Sequence, residues 1–229
     1  MRILSQVILS FFVLTIVFTA FEPTITRGAV TTSQFTISQI VTTEISFATP
    51  ATNIIMSPSL GGITGGTANG QTQVVVTTGN STGYNMTLTA SSSLGMIGNA
   101  SSSNYIPAYI PNATTSPDFS FTAPANTARF GYTIAASSSA DAAPFFKNTG
   151  AICNAGSNSN PSNTAASSLN CWINASTTAV TIVNRTLQTP SSGATTTLFF
   201  QVKINSNPSP VIPNDTYVAT STLTATTNP

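Results

Sequence analysis

The 229-residue chain has no histidine, one tryptophan and two cysteines, and only six basic and five acidic residues. Each shortage removes a class of chemistry. Without an imidazole there is no general base for a Ser–His or Cys–His nucleophile. A Ser–Lys arrangement has only Lys147 or Lys203 to draw on, and Lys203 sits in an alternating run with water on its face, the ordinary place for a lone lysine. Glycoside hydrolysis needs two carboxylates flanking one bond. After Arg27 the acids are Glu44, Asp118, Asp141 and Asp215, scattered along the chain with no Trp-rich sugar cleft beside them. Two cysteines without histidine cannot complete a zinc site. Asp118, Asp141 and Asp215 lack the D-x-[DN] clustering of a calcium loop, which leaves them turn and cap roles. The chain is therefore expected to be no enzyme and to hold no metal and no cofactor.

Charge is short as well. After Arg27, the cations Arg129, Lys147, Arg185 and Lys203 balance the acids just named. A net charge of zero gives no electrostatic footprint for nucleic acid or anionic lipid.

What is present begins at the N-terminus. "MRILSQVILSFFVLTIVFTAF" is one arginine followed by a nearly unbroken apolar run, the pattern of export machinery. The run reads as a hydrophobic helix. Residues 1–27 are expected to be a removed signal peptide or a retained membrane anchor, and only the second gives contact with a membrane. Residues 28–229 are then one extracellular or cell-surface domain. Export fits the cysteines. Cys153 and Cys171 enclose a segment of loop composition, "NAGSNSNPSNTAASSLN". A disulfide closing that loop would stabilise by about 3 kcal/mol on the chain-entropy model. Two free thiols are the alternative, disfavoured in an oxidising compartment.

Ser, Thr and Asn dominate the polar part of the chain. Such a composition can mark disorder, but 41% of the chain is apolar and the apolar residues fall in period-2 runs. In "TLFFQVKINS", Leu198, Phe200, Val202 and Ile204 point one way, and Thr197, Phe199, Gln201 and Lys203 the other. Phe130, Tyr132 and Ile134 form a second inward set; Ile45 and Phe47 a third; Tyr217, Ala219, Leu223 and Ala225 a fourth. Threonine suits the outer faces, being β-branched and tolerant of water. Gly, Pro, Asn and Ser clusters punctuate the runs. The pattern predicts an all-β fold, an antiparallel sandwich of about nine strands. Two long loop insertions, residues 91–117 and 135–175, interrupt it. "GGITGGTANG" lacks the lysine of a phosphate-binding loop and reads as a connector.

"QVVVTTGNSTGYNMTLTASSS" (residues 73–93) reads as a hairpin in which Val74 and Val76 pair with Tyr84, Met86 and Leu88 to build the core, with an inert polar coat outside. This stretch resembles the WxL-type surface domains of bacterial cell walls. In those, a Gly-containing turn leads into a Trp-x-Leu strand ending in small residues. Here Tyr84, Asn85 and Met86 follow Gly83, so Tyr-x-Met stands in that place. "DTYVATSTLTATTNP" occupies the position of the family's final strand, with Leu223, Thr224 and Ala225 where the second Trp-x-Leu would fall. The resemblance implies an Ig-like or WxL-like cell-surface β-sandwich. It does not carry peptidoglycan binding over, because both tryptophans credited with it are absent.

Two functions fit these readings. The first is a non-enzymatic exported structural protein, associated with the wall or assembling with copies of itself. "TTSQFTISQIVTTEISFA" could then pair with a neighbour's sheet edge by strand addition. The second is a binding module for glycan or wall polymer that uses the two insertions, with Tyr105, Tyr109, Phe145 and Phe146 as ligand-contact aromatics; the competing reading has them capping the core. Seven N-x-[ST] sequons, at Asn80, Asn85, Asn99, Asn112, Asn174, Asn184 and Asn214, match the roughly six that chance gives at this composition and carry no argument for glycosylation.

Overall fold

A computed structural model describes residues 31–111, 117–157 and 170–229, together with Gln6. The expected N-terminal helix, and with it the signal-or-anchor segment 1–27, lies outside the described residues, as does Asn112. The chain divides into two units after Val41. Residues 31–41, the continuous described part of the first, form neither helix nor strand and are exposed throughout.

The second unit, Thr42–Pro229, is mostly β with antiparallel sheets. One sheet has four strands in the order β1 (Ile45–Thr49), β2 (Gly66–Thr78), β10 (Ala194–Ile204) and β7 (Ala128–Ala136). Its centre is the β2–β10 pair, in unbroken register from Ala194↔Val76 to Ile204↔Gly66. A three-stranded sheet holds β12 (Ser221–Thr227), β3 (Tyr84–Ala90) and β9 (Val180–Arg185). A second three-stranded sheet holds β11 (Tyr217–Val218), β4 (Gly95–Gly98) and β5 (Tyr105–Pro107). A small ribbon pairs β6 (Asp118–Phe119) with β8 (Cys171–Trp172). Two single 3-10 turns, Ser139–Asp141 and Pro144–Phe146, are the only helical elements among the described residues of this unit. No helix among the described residues is long and apolar enough to cross a membrane.

Among the described residues twelve strands stand where the alternation suggests about nine, because the chain breaks long runs into pieces. β3 ends at Ala90 and β4 starts at Gly95; β11 ends at Val218 and β12 starts at Ser221. The insertion expected at residues 91–117 is in part sheet: it contains β4 and β5, two strands too short and too rich in Gly and Pro to be visible as alternation. The 135–175 stretch contributes the end of β7, the two 3-10 turns and β8.

Inward faces follow the parity read from the sequence. Val74, Val76, Leu198 and Ile134 from the four-stranded sheet meet Tyr84, Met86, Leu88 and Ile182 from β3 and β9 in the main apolar cluster, all 3% exposed or less. Burying each large side chain contributes about 1.5–3 kcal/mol. Ile106, Phe130, Val202, Ile204 and Ile212 extend the interior beneath β4, β5 and β11.

The expected core hairpin is corrected in one respect. Val74, Val76, Tyr84, Met86 and Leu88 are all buried, yet β2 and β3 are not paired. β2 pairs with β1 and β10, while β3 pairs with β12 and β9. Residues 79–83 carry the chain from one sheet to the other. Asn80 fixes this arch, its Nδ2 donating to Thr82 Oγ1, to the Gly83 carbonyl and to the Asn228 carbonyl at 2.7–2.9 Å. Thr189 Oγ1 accepts the Thr78 N–H at 2.9 Å. Gly83 takes φ +78°, and a Cβ there would come within 2.1 Å of the Arg185 carbonyl oxygen. A two-residue hairpin keeps its strands in one sheet; these distant bonds draw the turn out of that geometry.

Candidate functional site

The four-stranded sheet and the β12–β3–β9 sheet each have two lateral edges, and the two ends of the assembly treat them in opposite ways. At the β7–β9 end every edge is covered. Tyr109 N–H donates to the Phe130 carbonyl at 2.6 Å, and Tyr132 and Ile173 exchange both backbone bonds at 3.0 Å. The edge of β9 receives Ala142 opposite Val183, with Ala143 N–H donating to the Ile182 carbonyl at 3.0 Å. Arg185 closes the corner in a largely buried ion pair with Asp141, their side chains 14% and 11% exposed.

The outer face at this end is covered too. Phe199 and Ala135, on the side of the sheet the alternation gave to solvent, lie under Tyr109, Phe121 and Trp172 in a separate apolar cluster. Tyr109 stacks on Phe121 at 4.6 Å between ring centroids, and Phe121 meets Trp172 edge-on at 5.1 Å. Gly131 makes the approach possible: a Cβ there would lie 2.9 Å from both the Ile173 carbonyl oxygen and Tyr109 Cβ. The expected disulfide forms between Cys153 and Cys171. It ties the strand bearing Trp172 to the loop after the second 3-10 turn, where Asn148 bridges Cys153.

At the other end nothing among the described residues pairs with the outer edges of β1 or β12. The two strands approach each other across the sheets. Their inward residues Ile45, Phe47, Leu223 and Ala225 are only half-buried against the main cluster. Thr222, Thr224 and Thr226 of β12 face outward and are exposed. Neither strand contains a charged residue or a proline. Sheet edges are normally guarded by such residues or by cover, since an unpaired edge is a template for another strand.

Of the four aromatics expected to contact a ligand, Tyr109 and Phe146 lie in the interior, each 2% exposed. Tyr109 donates its hydroxyl to Asp118 Oδ2 at 2.7 Å, and Phe146 packs near Tyr132. Tyr105 and Phe145 remain at the surface. Tyr105 pairs with Ile97, and Ile97 with Val218, so these three share one face of the β11–β4–β5 sheet, with Tyr105 and Val218 exposed on either side of a half-buried Ile97. Sequence reasoning missed Ile97 and Val218, because their strands are short and meet only in the fold.

The titratable groups are structural in character. Burial pushes the Tyr84 hydroxyl up to about 12, with Asp141 adding and Arg185 opposing. Burial and then the hydrogen bond to Asp118 take Tyr109 to about 12, and burial alone raises Tyr132. All three stay protonated at neutral pH. Among the described residues the Tyr84 and Tyr132 hydroxyls find no protein partner. Asp215 is held below the usual carboxylate range, first by the Ala100 N–H. No three of His, Cys, Asp or Glu gather at one place among the described residues. The three aspartates considered for calcium are apart, at Tyr109, at Arg185 and at the Ala100 N–H.

No protein-family model matches the chain, and neither the curated proteins nor the solved structures yield a match.

Proposed function

We propose that this chain is a non-enzymatic, exported surface protein whose antiparallel β-sandwich serves as a structural subunit. The observation that carries the reading is the pair of open, uncharged edges at β1 and β12, set against the heavily covered edges at β7 and β9. Covering one end with an aromatic cluster, a disulfide and an ion pair stiffens the body. Leaving the other end unguarded costs solubility in a lone molecule and is useful in an assembling one. The uncharged Ser/Thr/Asn coat and the disulfide support an oxidising, extracellular setting.

Two measurements test it. Protease treatment of intact native cells is expected to shave the protein from the surface; full protection until lysis overturns export. Sedimentation velocity of the purified full chain is expected to show association growing with concentration.

The row of exposed Tyr105 and Val218 across half-buried Ile97 favours a second reading, a weak platform for wall glycan. It predicts that Tyr105→Ala lowers retention on isolated cell walls. Equal retention of wild type and variant removes it.

A further inference from the structure

Residues 35–41, "FTISQIV", hold four of the most exposed large apolar side chains in the described chain: Phe35 83%, Ile37 85%, Ile40 83% and Val41 88%. The segment lacks helix and strand, and among the described residues it makes no backbone–backbone hydrogen bond. Exposed, uncharged, largely apolar chain of this kind is uncommon in a finished monomer, because nothing offsets the hydration of its apolar side chains.

We infer that residues 35–41 of one copy add as a strand to the free edge of β12 in a second copy. This rests on the structural-subunit reading and names the contact by which the subunits would join.

Three features single out β12 as the acceptor. First, length: β12 has seven residues, and so does the donor. Second, pattern: along β12, Leu223 and Ala225 are half-buried toward the core, while Thr222, Thr224 and Thr226 face water. As a strand the donor presents Phe35, Ile37 and Val41, with Gln39 among them, on one face and Thr36, Ser38 and Ile40 on the other. Laid beside β12, its apolar face meets Leu223, Ala225 and the half-buried Ile45 and Phe47 of β1, and its hydroxyls continue the threonine coat. Third, architecture: the main cluster is bounded by four strands on one side and by β12, β3 and β9 on the other. An added strand gives the three-stranded sheet a fourth. The edge of β1 is a poorer acceptor, since its pairing with β2 is irregular between Phe47 and Thr49; β12 runs in unbroken register along β3.

The contact is of adequate size. An aromatic such as Phe35 alone buries on the order of 150–250 Å². With Ile37, Val41 and the backbone of both strands the interface approaches the roughly 1,000 Å² that a specific contact needs. Donor and acceptor are different surfaces, so the contact is head-to-tail and propagates as an open chain unless a ring closes.

The test uses the full chain and the double variant Phe35→Asp/Ile37→Asp, whose substitutions lie on exposed residues of the first unit. Wild type is expected to associate with rising concentration. The double variant is expected to lose at least tenfold in association constant at an unchanged melting temperature. A synthetic peptide of residues 31–43, added to the double variant, is expected to slow amide hydrogen exchange across Ser221–Thr227 and to leave the Ala128–Ala136 strand unaffected. Association of the double variant at the wild-type level overturns strand addition while leaving the structural-subunit reading in place. A wild type that stays monomeric with residues 35–41 protected from exchange overturns it in favour of insertion into the same molecule. Failure of the peptide to protect β12 overturns the choice of acceptor.

Discussion

The two ends of this fold treat the edges of the same two sheets differently. At the β7–β9 end, the unpaired backbone of both edge strands is taken up by Tyr109, Ala143 and Ile173, and Trp172 and Phe121 cover the outer face. At the β1–β12 end the edge strands are uncharged, and nothing among the described residues pairs with their outer edges. The difference shows that the edge strand's own residues do not decide whether it is protected. A few residues brought from far along the chain do. Where such residues are spent on one end only, the other is left available.

Substitutions can break or sharpen that contrast. The largest effect is expected in the core that both ends share. Leu88→Asp buries an unpaired carboxylate where the side chain is 1% exposed, and should cost more than about 4 kcal/mol and leave the body unfolded by circular dichroism. Thr87→Ala, one residue along and half-buried on the other face, should lie within about 0.5 kcal/mol.

Next is the cover at the closed end. Trp172→Ala empties a side chain that is 0% exposed and should cost about 3–5 kcal/mol in a denaturant titration. A cost near zero would mean that the aromatic cluster is decoration and the two ends are alike.

Tyr132→Phe should go the opposite way. The hydroxyl is buried without a protein partner among the described residues, and removing it spares a desolvation cost, so stability is expected to hold or rise by up to about 1 kcal/mol. A clear loss of stability in a thermal melt would reveal a bond that the contrast omits.

The smallest effect on stability is expected at the open edge. Thr224→Lys, on the exposed face of β12, should alter stability by no more than about 0.5 kcal/mol, yet suppress association, because a charge guards an edge. Association at the wild-type level in sedimentation velocity would mean that β12 is not used.

Much of this was legible beforehand. The parity of Leu198, Val202 and Ile204, of Phe130 and Ile134, and of Tyr84, Met86 and Leu88 is a local property, since successive side chains on a strand point to opposite faces. The disulfide was legible from the chain's one cysteine pair and the loop composition of the segment between them. Tyr109 and Phe146 were not separable from Tyr105 and Phe145, because each shares a short proline-containing stretch with its exposed counterpart, and only packing with Phe121 and Trp172 beside Gly131 buries Tyr109. Phe199 misled for a related reason: alternation states which face a residue is on, and is silent on whether another layer covers that face.

The sequence by itself determined that this chain makes antiparallel sheet with an apolar interior and a hydroxyl-rich exterior, because strand periodicity and side-chain polarity are written into neighbouring residues. Only the tertiary structure decided which strands share a sheet and which edges stay bare. The "GNSTG" turn crosses between sheets through Asn80 and Asn228, 148 residues apart, and β7 is capped by Ile173 from beyond the second cysteine. Such choices depend on contacts between distant residues, whose chain entropy is offset only once the whole core has formed.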